Sequence, residues 1–372
     1  MAVVRSDRRA DPRSREAAGG ARRPVPDRAH VRGLGTPGCR PGSVGTTGSR
    51  RADIPDLPSS PGQRPGSAHA ARAAWRRHCR VRAPTDPGRE PGGARRVSVV
   101  RLGRIGYINC YPVYGAIDRG VTPLAAELVT GTPSELNDLL AAGELDLSVV
   151  SAVEYARHAR DYILLPDLAI SCDGPVRSVA LFSRRPVGQL DDRTVLLTAS
   201  SRTAVDLLEL LCRDVWNVRP RMAQARAEAA DLDGLAHLPH EAVLVIGDAA
   251  LLLAARHAYP HRYDLGEEWK RWTGLPFVFA IWAARRAADQ RAARAVHHAL
   301  LAARDWGLAH LDLLAVAAGR ATGVGITDCR SYLAGLDYAL TDRHLAGLTD
   351  FFRRLAARGL VPDGSLQFLQ VA

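Results

Sequence analysis

Residues 97–372 predict an α/β protein of two lobes with a ligand cleft between them and a helical C-terminal section. Three observations carry this prediction. From Arg104 onward short apolar runs alternate with helical periods, the signature of α/β units on largely parallel sheets. After a polar connection at 186–192 the same alternation restarts, which gives a second α/β block. The long apolar run LPFVFAIWAAR (275–285) then returns the chain toward the first block, making a double crossover. The expected division is 97–185 with 274–372 in one lobe and 186–273 in the other. Clefts between such lobes usually take one small ligand.

Taken in order, RIGYIN (104–109) reads as a strand, with a helix near 112–117. AAELVTG (125–131) is a second strand. Thr132, Pro133 and Glu135 then supply the N-cap, first-turn proline and N3 acid of a capped helix that ends at Gly143. LDLSVVS (145–151) is a third strand, with VEYARHA its helix, and YILLPDLAIS (162–171) and SVALFSR (178–184) are two more. The second block holds RTVLLT (193–198), a helix over 200–212, and the buried strand AVLVIGD (242–248) with its helix AALLLAARH. Beyond 285 apolar residues recur at three and four through HHALLAARDWGLAHLDLLAVAA and LAGLTDFFRRLAARGL, which predicts helices to near the end.

The chain has 372 residues, 47% hydrophobic and 24% charged, enough for about two domains of ordinary size. Collagen-like, mucin-like and disulfide-scaffold classes are excluded. The net charge of +11 is localised: residues 1–96 hold 21 Arg against 8 acidic residues, whereas 97–372 hold 29 basic and 31 acidic ones. The folded part is therefore nearly neutral, and the basicity says little about its partners. Residues 1–96 also hold 12 of the 23 Pro and 13 of the 33 Gly with no periodicity, so a disordered extension is expected there. It reads either as a basic tail or as translated upstream sequence of a GC-rich genome. Lys270 is the lone lysine, the only methionines are Met1 and Met222, and Val97 or Val99 stands where the globular pattern begins. The opening segment lacks the apolar stretch of a secretory signal, and no apolar run reaches a membrane span of about 18 residues. Cys39, Cys79, Cys110, Cys172, Cys212 and Cys329 show no metal or disulfide spacing and read as reduced thiols, so a cytoplasmic protein with no membrane partner is expected.

Seven segments in order, RIGYINCYPVYGAI, GTPSELN, LDLSVVSAVEY, DGPVRSVALFS, TASSRTAVDLLELL, LVIGDAALLL and DLGEEWKRWTGLPFVFAIWAAR, resemble the chorismate dehydratases of the futalosine-dependent menaquinone pathway. The resemblance spans about 101–372. It implies a type II periplasmic-binding-protein fold used as a cytosolic enzyme, a hydro-lyase that removes water from chorismate to give 3-[(1-carboxyvinyl)oxy]benzoate. It implies neither metal nor organic cofactor, and allows for a homodimer. The sister family, 1,4-dihydroxy-6-naphthoate synthase, and a non-catalytic small-anion binding protein of the same fold are the rival readings.

Such a reaction asks for particular groups. The substrate is a dianion, and both carboxylates need partners in the site. Losing the C3 proton and the C4 hydroxyl makes the ring aromatic, so the enzyme has chiefly to orient the substrate, provide a base for C3–H and assist hydroxide departure. Asn109, at a strand's carboxyl end, matches the family motif, and its amide suits a carboxylate or the leaving hydroxyl; a helix cap or turn is the structural alternative. Cys110 beside it reads as a packing thiol. Ser151 and Ser178 are small hydroxyls at cleft positions, with Ala152 standing where the family often has a second Ser. A strand-opening hydroxyl bonded to backbone is the alternative for Ser178. Together Asn109 and Ser178 are the expected catalytic pair.

Ser200, Ser201, Arg202 and Thr203 open a helix after a buried strand, a natural seat for a substrate carboxylate that also fits a plain N-cap. Asp248 either touches the substrate or caps a helix. Trp269, Trp272 and the TGLPFVF run are expected to shape the wall between the lobes, and as aromatics they read as core more readily than as ligand contacts. None of His158, His237, His240, His257 or His261 falls at a predicted cleft strand end, so the base for C3–H is either another protein group such as Asp248 or the substrate's own enolpyruvyl carboxylate, and the second reading fits this absence. No nucleic-acid partner is expected: the basic segment has Trp75 as its one aromatic and carries no motif.

Overall fold

The computed structural model describes residues 99–371. The extension expected at 1–96, with Cys39, Cys79 and Trp75, lies outside the described residues, as does Val97. Among the described residues two five-stranded sheets carry the chain. The first has the order β2-β1-β3-β10-β4, with β1 at Val100–Ile105, β2 at Ala126–Gly131, β3 at Leu147–Ser151, β4 at Tyr162–Cys172 and β10 at Phe277–Arg285. The second has the order β7-β6-β8-β5-β9, with β5 at Val179–Ser183, β6 at Thr194–Thr198, β7 at Arg221–Ala225, β8 at Ala242–Ile246 and β9 at His261–Asp264. Each sheet with its helices is one lobe.

In each sheet four of the five strands point one way, as expected, and a single strand, β10 in the first and β5 in the second, runs against them. β1 runs parallel to β2 and β3, and β6 to β7 and β8, but β10 is antiparallel to β3 and β4 and β5 is antiparallel to β8 and β9. The antiparallel strands β5 and β10 each follow a crossover from the other lobe, so neither enters its sheet through a right-handed βαβ unit. The boundary expected at 185/186 also moves. β5 pairs with β8 and β9, so the chain changes lobes between Cys172 and Val179, and the polar stretch at 186–192 is a surface connection within the second lobe.

The first strand starts earlier than RIGYIN, at Val100, and ends at Ile105, with Val100, Leu102 and Ile105 buried. Ile108–Cys110 is then a 3-10 turn leading into α1 (Tyr111–Asp118), whose second residue is Pro112. The capping box at Thr132 and Glu135 is present as expected and opens α2 (Pro133–Ala141). α3 (Ala152–Arg157) follows β3, α4 (Arg202–Asp214) follows β6, α5 (Leu232–Leu235) precedes β8, and α6 (Gly247–Ala255) follows it directly. β9 runs into α7 (Leu265–Thr273), and the helical section after β10 comprises α8 (Gln290–Ala309), α9 (Leu311–Thr322), α10 (Ile326–Ala334) and α11 (Asp342–Ala356).

α8 packs across α1 at Gly307, where a Cβ would sit 2.0 Å from the Pro112 carbonyl oxygen. Only glycine permits that approach, and it seats the turn carrying Asn109. Trp269 is fully buried at the second crossover, with ring centroids 5.2 Å from Phe277 and 5.9 Å from Phe351, and its indole N–H donates to the Pro276 carbonyl at 3.2 Å. Trp272 packs edge-on against it. Trp269 is thus a core residue at the crossover, and Trp272 is a partly buried residue packed against it. No helix among the described residues is long and apolar enough to cross a membrane.

Candidate active site

The carboxyl ends of the parallel strands β1, β3 and β8 meet the amino ends of β5 and β10 between the lobes, where open α/β sheets place their ligands. Four of the predicted residues, Asn109, Ser151, Ser178 and Ser201, line one cavity of about 50 Å³ there, with Tyr107, Gly247 and apolar side chains that include Ile170 and Phe279.

Asn109 reaches the cavity from the 3-10 turn after β1, and its Oδ1 is buried without a hydrogen-bond partner. Such an acceptor is costly unless a ligand supplies its donor. Ser151 ends β3 and bonds Asn137 of α2 twice: the Asn137 Nδ2 donates to Ser151 Oγ at 3.1 Å, and the Ser151 N–H donates to Asn137 Oδ1 at 3.3 Å. Ser178 closes the first crossover. Arg177 before it has φ +64°, a strained conformation for a side-chain-bearing residue, held because the Asp264 carboxylate accepts the N–H of Val176 at 3.0 Å and of Arg177 at 2.5 Å. The Ser178 hydroxyl accepts from the Tyr332 hydroxyl of α10 at 2.8 Å. Ser201 is the N-cap of α4, its Oγ accepting the Ala204 N–H at 3.2 Å, so capping and cavity lining coexist.

Of the other four predicted residues none lines the cavity: Arg202, Thr203 and Asp248 join the lobes, and Ser200 supports a residue that does. The Ser200 hydroxyl donates to Glu228, which also accepts the Tyr107 hydroxyl at 3.0 and 3.1 Å. Arg202 does not line the cavity: its guanidinium is taken up by Glu154 and, at 2.7 Å, Asp138, both from the first lobe. A cation so paired has little left to offer a substrate. Thr203 accepts the Val153 N–H at 3.1 Å. Asp248, in the first turn of α6, does not cap its own helix; its Oδ1 accepts the N–H of Ile108, the first residue of the 3-10 turn, at 3.1 Å across the cleft. These contacts bridge the lobes beside a cavity whose volume is well below the about 300–1,000 Å³ of small-molecule sites.

None of the five histidines singled out in the sequence lines the cavity. His240, for example, is engaged by the Leu238 carbonyl and the Tyr259 hydroxyl. Cys110 is buried and burial pushes its thiol up, consistent with packing. Among the described residues no group of three or more His, Cys, Asp or Glu side chains is placed to hold a metal ion.

Sequence reasoning missed Tyr107, Asn137, Glu228 and Tyr332. Tyr107 and Asn137 lie inside two segments that carried the resemblance, and a polar residue at a buried helix position beside Leu136 and Leu140 was the available signal for Asn137.

Burial pushes the Asp248 carboxyl from 3.8 up to about 6, with the Ile108 N–H pulling the other way and Glu228 adding to the rise. The fold therefore holds that proton more tightly than the unfolded chain does. Its contribution to stability is full below pH about 4 and lost as pH rises to about 6, a change of about 3 kcal/mol. Asp248→Asn keeps an acceptor for Ile108 and is expected to be more stable than the parent at pH 7 by up to about that amount, with little gain at pH 4. Urea melts at the two pH values test this, and an equal gain at both overturns it. Asp206, also pushed up to about 6 by burial, keeps its own slope in the variant.

The fold defines a two-lobed α/β protein of the periplasmic-binding-protein type. Solved structures of that architecture match it: a Candida albicans protein described as having the generic periplasmic binding protein fold (TM-score 0.55, 10% identity, 74% of this chain and 98% of that one) and the aliphatic sulphonate binding protein SsuA of Escherichia coli (0.53, 12%, 73% and 97%). The protein AF1704 of Archaeoglobus fulgidus does so as well (0.54, 16%, 70% and 98%). At these identities the likeness is one of fold alone. The sequence narrows it further: the menaquinone biosynthesis family model matches residues 100–357, and the chain belongs to that family. A chorismate dehydratase of Thermus thermophilus is 35% identical over 238 residues, 60% of this chain and 84% of that protein.

Proposed function

We propose that this protein is a cytoplasmic hydro-lyase that converts chorismate to 3-[(1-carboxyvinyl)oxy]benzoate for menaquinone synthesis. The observation that carries the reading is the unpartnered Asn109 Oδ1, set beside two serine hydroxyls in the interlobe cavity of a member of this family. The relative named as a chorismate dehydratase supports the choice of substrate.

In this reading the hydroxyls of Ser151 and Ser178 donate to a substrate carboxylate. Asn109 Oδ1 accepts from the C4 hydroxyl and fixes its orientation on the ring. The cavity lining offers no histidine, and the enolpyruvyl carboxylate takes the C3 proton. The C3–H electron pair becomes the new ring double bond as the C4–O bond breaks, and the proton leaves with the departing hydroxyl as water. Closure of the lobes excludes solvent and holds the reacting groups in place.

The test is incubation of the full-length protein with chorismate, followed by mass and ultraviolet spectra. A product lighter by one water with a benzoate spectrum is expected. Chorismate that is bound but unchanged overturns the enzymatic reading, and chorismate that is neither bound nor changed overturns the substrate.

A further inference from the structure

Ser151 and Ser178 each have a buried side chain behind them, outside the cavity. Asn137 is fully buried, and its orientation is dictated by the backbone: the Ser151 N–H, 3.3 Å away, has to meet a carbonyl oxygen, so Oδ1 lies there and the Nδ2 amide is turned to Ser151 Oγ at 3.1 Å. Tyr332 is buried too, and burial holds its phenol well above the ordinary range, so it stays protonated. A buried phenol needs an acceptor, and Ser178 Oγ at 2.8 Å is the one it has. The Ser178 backbone is fixed as well, its N–H donating to the Val176 carbonyl at 2.8 Å and its carbonyl accepting the Gly247 N–H at 2.7 Å.

A serine hydroxyl has one proton. When a neighbour donates to its oxygen, that proton is left for another acceptor. Asn137 and Tyr332 thereby turn both hydroxyls into donors, while Asn109 Oδ1 faces the same cavity as an acceptor. The lining thus presents two donors and one acceptor, a pattern that matches a carboxylate beside a hydroxyl.

We propose that Asn137 and Tyr332 are positioning residues that fix Ser151 and Ser178 as hydrogen-bond donors to the substrate carboxylate. The role rests on the proposed function and goes beyond it, because neither residue touches the substrate.

A double-mutant cycle on the full-length protein tests it. Tyr332→Phe is expected to lower kcat/KM for chorismate about 10-fold in the parent and less than about twofold in a Ser178→Ala background, because the donor it sets is already gone. Asn137→Ala should likewise cost more in the parent than in a Ser151→Ala background, on top of a loss common to both from the Ser151 N–H that Asn137 also accepts. Equal losses in both backgrounds, or none in the parent, overturn the proposal; a structural defect alone lowers thermal stability and acts equally in both. If Ser178→Ala turns over too slowly to follow, the cycle is read from the chorismate dissociation constant by calorimetry, with the same two outcomes. An unaltered protein that leaves chorismate unchanged removes the underlying reading and is seen separately from the cycle.

Discussion

Asn109→Ala is expected to lower kcat for chorismate by about 10²-fold, because the C4 hydroxyl loses the acceptor that orients it for departure, with no loss of thermal stability. The two halves of this result come from one observation. Asn109 Oδ1 is buried and has no partner in the folded chain, so removing it breaks no internal hydrogen bond. It instead removes an unpaired polar atom whose burial costs about 1–3 kcal/mol, and the variant should melt at or above the parent temperature. Steady-state kinetics with a circular-dichroism melt decides the matter. A variant that melts several degrees lower while keeping its kcat would show Asn109 to be structural and would sink the assignment. Sites that bind tightly commonly carry such mismatched groups, since what is unsatisfied in the free protein is satisfied in the complex.

Gly247→Ala is expected to cost about 2–5 kcal/mol of stability and to raise KM, for two reasons that separate experimentally. Gly247 has φ +61°, which a side chain resists, and a Cβ there would lie 2.8 Å from the Tyr107 ring. Pushing that ring aside breaks its hydroxyl contacts with Glu228, one of the links that draw the lobes together. In a Tyr107→Ala background the clash is gone and only the backbone cost of about 1–2 kcal/mol remains. Equilibrium denaturation of the four proteins measures both parts. An equal cost in the two backgrounds would mean that the ring and the glycine do not meet.

Much of this architecture was legible because its causes are local. β3, β5 and β8 are buried at every position and read as short runs of mostly apolar residues, and the Thr132–Glu135 box marks the start of α2 without help from the rest of the chain. β7 and β9 escaped notice because they are edge strands: RMAQA and HRYD are half exposed and polar, so neither alternates nor forms a run. The lobe boundary was misplaced for a related reason. Pro186 and its polar neighbours announce a loop, but a loop's composition does not say which sheet the preceding strand has joined.

In the site, Asn109, Ser151, Ser178 and Ser201 were found from strand ends and motif, and they do meet in one cavity. Arg202 was misjudged because its partners Glu154 and Asp138 come from the other lobe, 48 and 64 positions away. Tyr332, 154 positions from Ser178, sits in a helix with no feature to mark it. Pairings at that range are decided by the fold and leave no periodic trace.

The order of strands in the first sheet bears on how the chain matures as it is made. β10 lies between β3 and β4, yet it is translated after every strand of the other sheet. While the ribosome is still short of residue 285, β4 has no strand partner from its own lobe, whereas the second lobe has all five of its strands by Asp264. The later-numbered half is therefore the first that can complete its core. The earlier half waits with an apolar edge uncovered, so slow translation or a stop between 264 and 277 leaves the nascent protein most exposed to aggregation and to chaperone capture.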